Sequence, residues 1–299
     1  MKHSKKIIIL LLLMFVVAQL IGIYVVNHYI SPENILPFGL DTPTPETNSE
    51  YGGFFIQIVI AFILAIFILF LFLKFKVELI LRLWFLTVII ISLGIAFTAI
   101  FPEFRYKFYV VLAVSAIFGL VKIFQRNFIV HNFTELLIYP GIAAVFVPLL
   151  NVWTIILLLL LISIYDIWAV WHSGIMQKMA KYQMENLKVF SGFFIPYMSK
   201  VTRKKIKLWK NTLKKSELRK KKIKVNVAIL GGGDIVFPII TSGVMLKTTG
   251  LGPALFVALG ATLGLGYLFM KSEKKKFYPA MPYITTGILL GIGLSYLVF

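Results

Sequence analysis

The chain contains no cysteine and few charged residues. Of its 299 residues 14% are charged, whereas about a quarter are charged in a typical soluble domain. The absence of cysteine excludes thiol catalysis, thiolate metal sites and disulfide bonds. The low charge, together with 59% apolar residues, excludes a soluble enzyme, a secreted disulfide scaffold and a disordered chain.

Apolar runs close to the ~20 residues needed to cross a bilayer recur along the chain. They predict an all-α, multi-pass membrane protein with nine transmembrane helices. The first run follows three lysines, as in a signal peptide, but it is too long and lacks an A-x-A cleavage site, so we interpret it as a retained span. Spans eight and nine each carry a G-x-x-x-G motif, at 260–264 and 287–291, which predicts close helix packing. The predicted spans are 7–26, 54–73, 79–101, 108–124, 133–150, 153–171, 225–246, 251–270 and 278–298.

Basic residues are concentrated on one side of the predicted membrane. If the N-terminus is cytoplasmic, all but three of the 31 lysines and arginines lie inside; the exceptions are Arg105, Lys107 and Lys247. The positive-inside rule therefore predicts a cytoplasmic N-terminus and an outside C-terminus in the cell membrane. The net charge of +19 reflects this topology rather than nucleic-acid binding. The most basic run, residues 203–224, offers only Trp209 as an aromatic for base stacking.

The basic loop after span six divides the chain into three parts. Residues 1–172 hold spans one to six, residues 173–224 form the cytoplasmic loop, and residues 225–299 hold spans seven to nine. Within the loop, residues 189–198 are apolar but too short to span. Two interpretations stay open for this segment: a helix lying in the membrane interface, and a mobile cover over a site between spans six and seven.

Two acidic residues lie where a membrane protein rarely has them. Of the twelve, ten are in loops or near span ends, whereas Asp166 and Asp234 are within spans six and seven. A carboxylate near a helix centre costs roughly 2.5–3.5 kcal/mol to insert, which indicates a function. At 1.5 Å per residue, the two lie about 8 Å and about 14 Å from the inner ends of their spans, both in the inner half of the membrane. Such a pair can share a proton and activate water, as in aspartic proteases, or relay a proton or cation in a transporter. From depth and charge alone, both interpretations are equally favoured.

The residues around the aspartates favour a hydrated protease site. Asp166 follows Tyr165, and Asp234 ends the sequence Gly231-Gly232-Gly233-Asp234. Three glycines weaken a helix and expose backbone groups, which is tolerated at membrane depth only beside protein or water. The ninth span opens with Pro279-Ala280-Met281-Pro282, and its prolines leave backbone carbonyls without helical partners.

These motifs resemble those of the presenilin and signal-peptide-peptidase family of intramembrane aspartyl proteases. Its members carry Y-D in the sixth span, G-x-G-D in the seventh and P-A-L at the start of the ninth. The resemblance implies that Asp166 and Asp234 are the catalytic pair. The chain departs from the family at Gly232 and Met281, where leucine is usual, and these changes concern substrate preference more than reaction type. The residues implied to shape the site or to bind substrate are Tyr165, Gly231, Gly232, Gly233, Pro279, Ala280, Met281 and Pro282.

The resemblance is to the presenilin branch, in a compact, archaeal-type form, because the predicted orientation and Pro282 both match that branch. It implies hydrolysis of peptide bonds in or near transmembrane segments of protein or peptide substrates, within the lipid bilayer. The two-aspartate chemistry requires no metal or organic cofactor, and nothing in the sequence indicates a partner subunit.

Competing interpretations leave different signatures. The chain has no H-E-x-x-H zinc motif and no G-x-S-x-G serine motif. His131 and Glu135, one helical turn apart near the inner end of span five, are interpreted as a cap or surface contact rather than a metal site. A transporter using the same carboxylates predicts proton-coupled flux without cleavage. An inactive binder of membrane segments is a third alternative, which the intact aspartates disfavour.

Overall fold

The described part of the molecule is mostly helical. The computed structural model describes residues 5–31, 33–41, 43–75, 78–125, 127–173, 190–197, 226–273 and 278–299. Eight of the nine long helices in these residues, all except Gly232–Thr249, are long and apolar enough to cross a membrane. The long helices in these ranges are α1 (Lys5–Ile30), α2 (Asn48–Phe75), α3 (Glu78–Ile100), α4 (Lys107–Phe124), α5 (Phe128–Phe146), α6 (Val152–Trp168), α7 (Gly232–Thr249), α8 (Leu251–Lys271) and α9 (Met281–Val298).

The prediction of an all-α chain is wrong at two segments. Residues 189–198 contain strand β1 (Gly192–Tyr197) instead of an interfacial helix, and the predicted seventh span begins with strand β2 (Asn226–Gly231) before α7 starts. The two strands pair antiparallel, with Gly192 opposite Gly231 at one end. Short apolar runs of this kind do not distinguish a strand from a helix by periodicity. Most of the predicted cytoplasmic loop, residues 174–189 and 198–225, lies outside the described residues.

Helices α1 and α5 form the centre of the fold. Buried side chains from α1, α5 to α9 and both strands make one apolar core. A second core lies between α1, α3, α4 and α5. Helix α2 is peripheral: it packs against α6 and the 3₁₀ turn Val147–Leu149, and none of its residues from Asn48 to Ile68 is buried.

Helices α8 and α9 approach each other at their glycines, which confirms the predicted close packing. A Cβ placed on Gly287 would overlap the carbonyl group of Gly260, and a Cβ on Gly260 would overlap that of Gly287. A Cβ on Gly264 would likewise overlap the carbonyl of Tyr283. Small residues at these positions therefore let the two backbones touch.

Substitution Gly287→Ala is expected to destabilise the protein by about 1–3 kcal/mol, because the added methyl group forces α8 and α9 apart. Thermal unfolding in detergent measures the effect. Gly293→Ala in the same helix is the control, since a Cβ there meets nothing within 4 Å. Equal melting temperatures for the two variants would contradict the close contact.

Candidate functional site

Asp166 lies near the C-terminal end of α6 and is bound by the first residues of α9. Its side chain is buried, and Oδ2 accepts the Met281 N–H at 3.0 Å. The Ala280 N–H also lies close enough to this carboxylate to stabilise its charge. The first N–H groups of a helix have no intrahelical partner and favour a negative charge. Because Pro279 and Pro282 have no N–H, the donors presented here are those of Ala280 and Met281, and Asp166 caps the helix.

A second contact between α6 and α9 lies about one helical turn away from the Asp166–Met281 contact. Ser163 Oγ lies 2.9 Å from Thr285 Oγ1, and both side chains are buried. Ser163 precedes Asp166 by three residues, and Thr285 follows Met281 by four, so each pair shares one helix face. The hydroxyl pair and the capping carboxylate therefore set the register of the two helices together.

Substitution Thr285→Val is expected to lower the free energy of unfolding by about 1–2 kcal/mol, because it leaves the buried Ser163 hydroxyl without its partner. The double variant Ser163→Ala/Thr285→Val removes both hydroxyl groups and should recover part of this loss. Thermal or denaturant unfolding in detergent measures both. Strictly additive losses would contradict an interaction between the two hydroxyl groups.

Asp234 lies in the first turn of α7, directly after β2. Gly231 is the N-cap of α7, and its backbone N–H lies close enough to the Asp234 carboxylate to stabilise its charge. Asp234 is partly exposed and Gly233 is exposed, so this side of the turn is open. The expectation that Asp234 sits well inside a long spanning helix is wrong, because β2 replaces the first part of that helix. The glycine triplet marks the change from strand to helix.

The end of α6 and the start of α7 place the two aspartates close enough to interact electrostatically. Asp166 is held by the Met281 N–H, and the Gly231 N–H lies near Asp234. Two carboxylates in this arrangement can share one proton, and the pair can polarise a carbonyl and activate a water molecule.

The other predicted site residues have different surroundings. Tyr165 packs edge-on against Phe62 of α2, with ring centroids 5.9 Å apart. Pro279 is buried beside the Asp166 contact, and Pro282 occupies the first turn of α9. Gly232 is buried and faces Tyr139 of α5.

The outer edge of β2 leads directly to Asp234. The Asn132 side chain binds both backbone groups of Phe194 in β1, at 2.9 and 3.0 Å, so the Phe194 backbone points away from β2. Phe194 is paired with Ile229. In an antiparallel ladder the two residues of a non-hydrogen-bonded pair both point their backbone N–H and C=O groups away from the partner strand. Phe194 and Ile229 form such a pair, so the backbone groups of Ile229 point away from β1. Among the described residues no further strand pairs with this edge, and Ile229 is exposed.

An apolar cleft separates α2 from α5, α6 and α7. Its volume is ≈ 460 Å³, and it is lined from α2 by Phe54, Gln57, Ile58 and Phe62. From α6 and α7 it is lined by residues that include Ile162 and Val236. Ile162 lies about one helical turn from Asp166, and Val236 two residues from Asp234. Residues that line the cleft thus lie within about one helical turn of each aspartate along α6 and α7, although neither aspartate lines it.

Sequence analysis missed a polar cluster on α4 and α5. His131 and Glu135 were interpreted as a cap or surface contact, but both are buried. They join Lys122, Tyr139 and Gly192 in one hydrogen-bonded network. The spacing of His131, Glu135 and Tyr139, four residues apart on one helix face, is the signal that could have indicated it. Within the described residues, no group of three or more histidine, aspartate or glutamate side chains could hold a metal ion.

The chain is similar to known proteins at two levels. The family model described as "Signal-peptide peptidase, presenilin aspartyl protease" matches residues 12–299. Two solved structures of a presenilin family intramembrane aspartate protease share its fold. The C222 crystal form gives a TM-score of 0.62 at 16% identity, covering 98% of this chain and 99% of that chain. The P2 form gives 0.63 at 17% identity, covering 97% of each. No curated protein matches significantly.

Proposed function

Because the chain belongs to the signal-peptide peptidase and presenilin family of aspartyl proteases, we propose that Asp166 and Asp234 are its catalytic pair. The protein is an intramembrane aspartyl protease, a hydrolase that acts on transmembrane substrates. One observation carries the assignment of the residues: the ends of two helices place the two carboxylates within electrostatic range of each other, with backbone N–H groups beside each of them.

The proposed mechanism uses the pair as a single acid–base unit. One ionised carboxylate removes a proton from water, and the oxygen attacks the peptide carbonyl. The other carboxyl group, protonated, donates a hydrogen bond to the carbonyl oxygen and then a proton toward the leaving amine. This chemistry requires no metal or organic cofactor. Gly231, Gly233 and the 279–282 turn shape the site by presenting backbone rather than bulky side chains.

Substrate is proposed to enter from the lipid through the cleft behind α2. Helix α2 contributes no buried residue between Asn48 and Ile68, so it can move at little cost in packing. Within the site the substrate must be extended, because the hydrogen bonds of a helix shield its peptide bonds. The outward-facing backbone of Ile229 offers an edge to which an extended segment can add as a strand, beside Asp234.

The membrane arrangement is also a proposal. We place nine spans in the membrane, with α7 as the seventh, the N-terminus in the cytoplasm and the C-terminus outside, in the cell membrane. The distribution of basic residues supports this orientation. It divides the chain into residues 1–172, the loop 173–224 and residues 225–299, with one catalytic aspartate on each side of the loop.

Cleavage of a single-span reporter by the purified protein in lipid vesicles tests the function. We expect two fragments cut within or near the membrane segment, and no proton flux across the same vesicles when a pH gradient is applied. Flux without cleavage would instead support a transporter, which the family match does not favour. An inactive binder would retain the reporter without cutting it.

A further inference from the structure

Glu135 is the centre of the buried network on α5. One carboxylate oxygen forms an ion pair with Lys122 of α4, and both side chains are almost fully buried. The other oxygen accepts the Tyr139 hydroxyl and, at 3.1 Å, the Gly192 N–H of β1. Both oxygens are thus occupied, which a buried carboxylate requires.

His131 completes a clamp on the first residue of β1. Its Nε2 lies 2.8 Å from the Gly192 carbonyl and its Nδ1 lies 3.4 Å from Lys122 Nζ. The carbonyl and the ammonium group assign the proton to Nε2, which donates to Gly192, while Nδ1 accepts from Lys122. Together His131 and Glu135 bind both backbone groups of Gly192. Gly192 has φ +132°, a conformation that favours glycine.

Tyr139 connects this clamp to the turn before Asp234. A Cβ on Gly232 would lie 2.7 Å from the Tyr139 hydroxyl and 2.7 Å from Ser191 Oγ. The Tyr139 hydroxyl itself lies 3.3 Å from Ser191 Oγ. Tyr139 and Ser191 therefore fill the space that a side chain at position 232 would occupy. Tyr139 is also close enough to Asp234 to interact with it electrostatically.

We propose that Tyr139, with its hydroxyl held by Glu135, is a positioning residue for the catalytic turn. It sets the spacing between β1 and Gly232, and so fixes Asp234 and the outer edge of β2 relative to Asp166. The same contact explains why position 232 is glycine in this chain: the Tyr139 side chain occupies the space that a side chain at position 232 would need. The inference rests on the proposed catalytic role of Asp234 and adds to it a residue that acts without touching the substrate.

Three variants test the proposal. Tyr139→Phe keeps the ring but removes the hydroxyl, and we expect kcat for reporter cleavage to fall roughly tenfold with KM changed less than about twofold, because misplacement of the reacting groups lowers the rate more than binding. Gly232→Ala should lower kcat further, since its Cβ meets the hydroxyl groups of Tyr139 and Ser191, each at 2.7 Å. The double variant Tyr139→Phe/Gly232→Ala lacks one of these two contacts and should recover part of the activity that Gly232→Ala loses. With kcat expressed per folded molecule, this recovery reports positioning rather than stability.

Matched controls separate positioning from stability. Tyr29→Phe removes a hydroxyl that donates to the Ile95 carbonyl at 2.8 Å, between α1 and α3. Gly293→Ala adds a methyl group where nothing lies within 4 Å. We expect both to retain wild-type kcat per folded molecule, whatever their melting temperatures.

Amide hydrogen exchange provides a readout that does not depend on cleavage. Tyr139→Phe should speed the exchange of the amides of residues 190–197 several-fold, because Glu135 and Ser191 lose their shared partner, whereas Tyr29→Phe should not. Unchanged kcat in Tyr139→Phe overturns the proposal, whatever the exchange shows. If the wild type does not cleave the reporter, the proposed function fails, and this failure is separate from the role of Tyr139. In that case the exchange experiment decides alone: unchanged exchange of the amides of residues 190–197 in Tyr139→Phe overturns the clamp on β1.

Discussion

Substitution of either Asp166 or Asp234 by asparagine is expected to abolish cleavage, lowering kcat by at least about a thousandfold. An asparagine side chain neither removes a proton from water nor donates one to the leaving group, so the pair loses its acid–base function. The amide oxygen of asparagine can still accept from the backbone N–H groups that lie beside each carboxylate. Both variants should therefore fold.

The assay compares cleavage of the single-span reporter in lipid vesicles, after equal folding has been shown by melting temperature. Asp41→Asn is the matched control, because Asp41 is the remaining aspartate of the chain and lies exposed in the loop between α1 and α2. It should cleave at the wild-type rate. Cleavage that survives substitution of Asp166 or of Asp234 would falsify the two-aspartate mechanism.

Substitution Ile229→Pro is expected to lower kcat/KM for the reporter at least about tenfold by removing one backbone donor from the outer edge of β2. Strand addition obtains affinity from main-chain hydrogen bonds, and proline has no N–H to donate. The pairing of β2 with β1 should persist, because the Ile229 N–H points away from β1. The sheet already contains a proline at an equivalent outward position, Pro196 of β1, opposite Val227.

Ile229→Ala is the control for this variant, since it removes the side chain and keeps the N–H. It should stay within a few-fold of wild-type activity. Hydrogen exchange of β1 amides checks that the sheet is intact in both. Full activity in Ile229→Pro with an intact sheet would mean that the substrate does not bind as a strand at this edge.

The positions of the helices were largely predictable from the sequence. Crossing a bilayer requires long apolar segments, and the composition alone places the chain among multi-pass membrane proteins. The family was also predictable, because the motifs around Asp166, Asp234 and Pro279 occur in the expected order. A carboxylate in an apolar span is a costly exception that is visible without a structure.

The start of α7 and the two strands required the tertiary structure. The run 225–246 is largely apolar in its first part, and apolarity does not determine whether Asn226–Gly231 forms a helix or a strand. Its partner, Gly192–Tyr197, is about thirty residues away in sequence, and the α5 side chains that hold that partner are more distant still. Strand pairing depends on such non-local contacts, so local pattern does not reveal it.

The sequence by itself determined that this is a membrane protein with two carboxylates inside apolar runs, because bilayer insertion penalises every exception to an apolar pattern. Only the tertiary structure decided what surrounds those carboxylates: the Met281 N–H at Asp166, the Gly231 backbone at Asp234, and the Tyr139 hydroxyl against Gly232. Met281 is 115 residues from Asp166 in the chain. Contacts between such distant residues follow from how the helices pack, and neighbouring residues carry no signal of that packing.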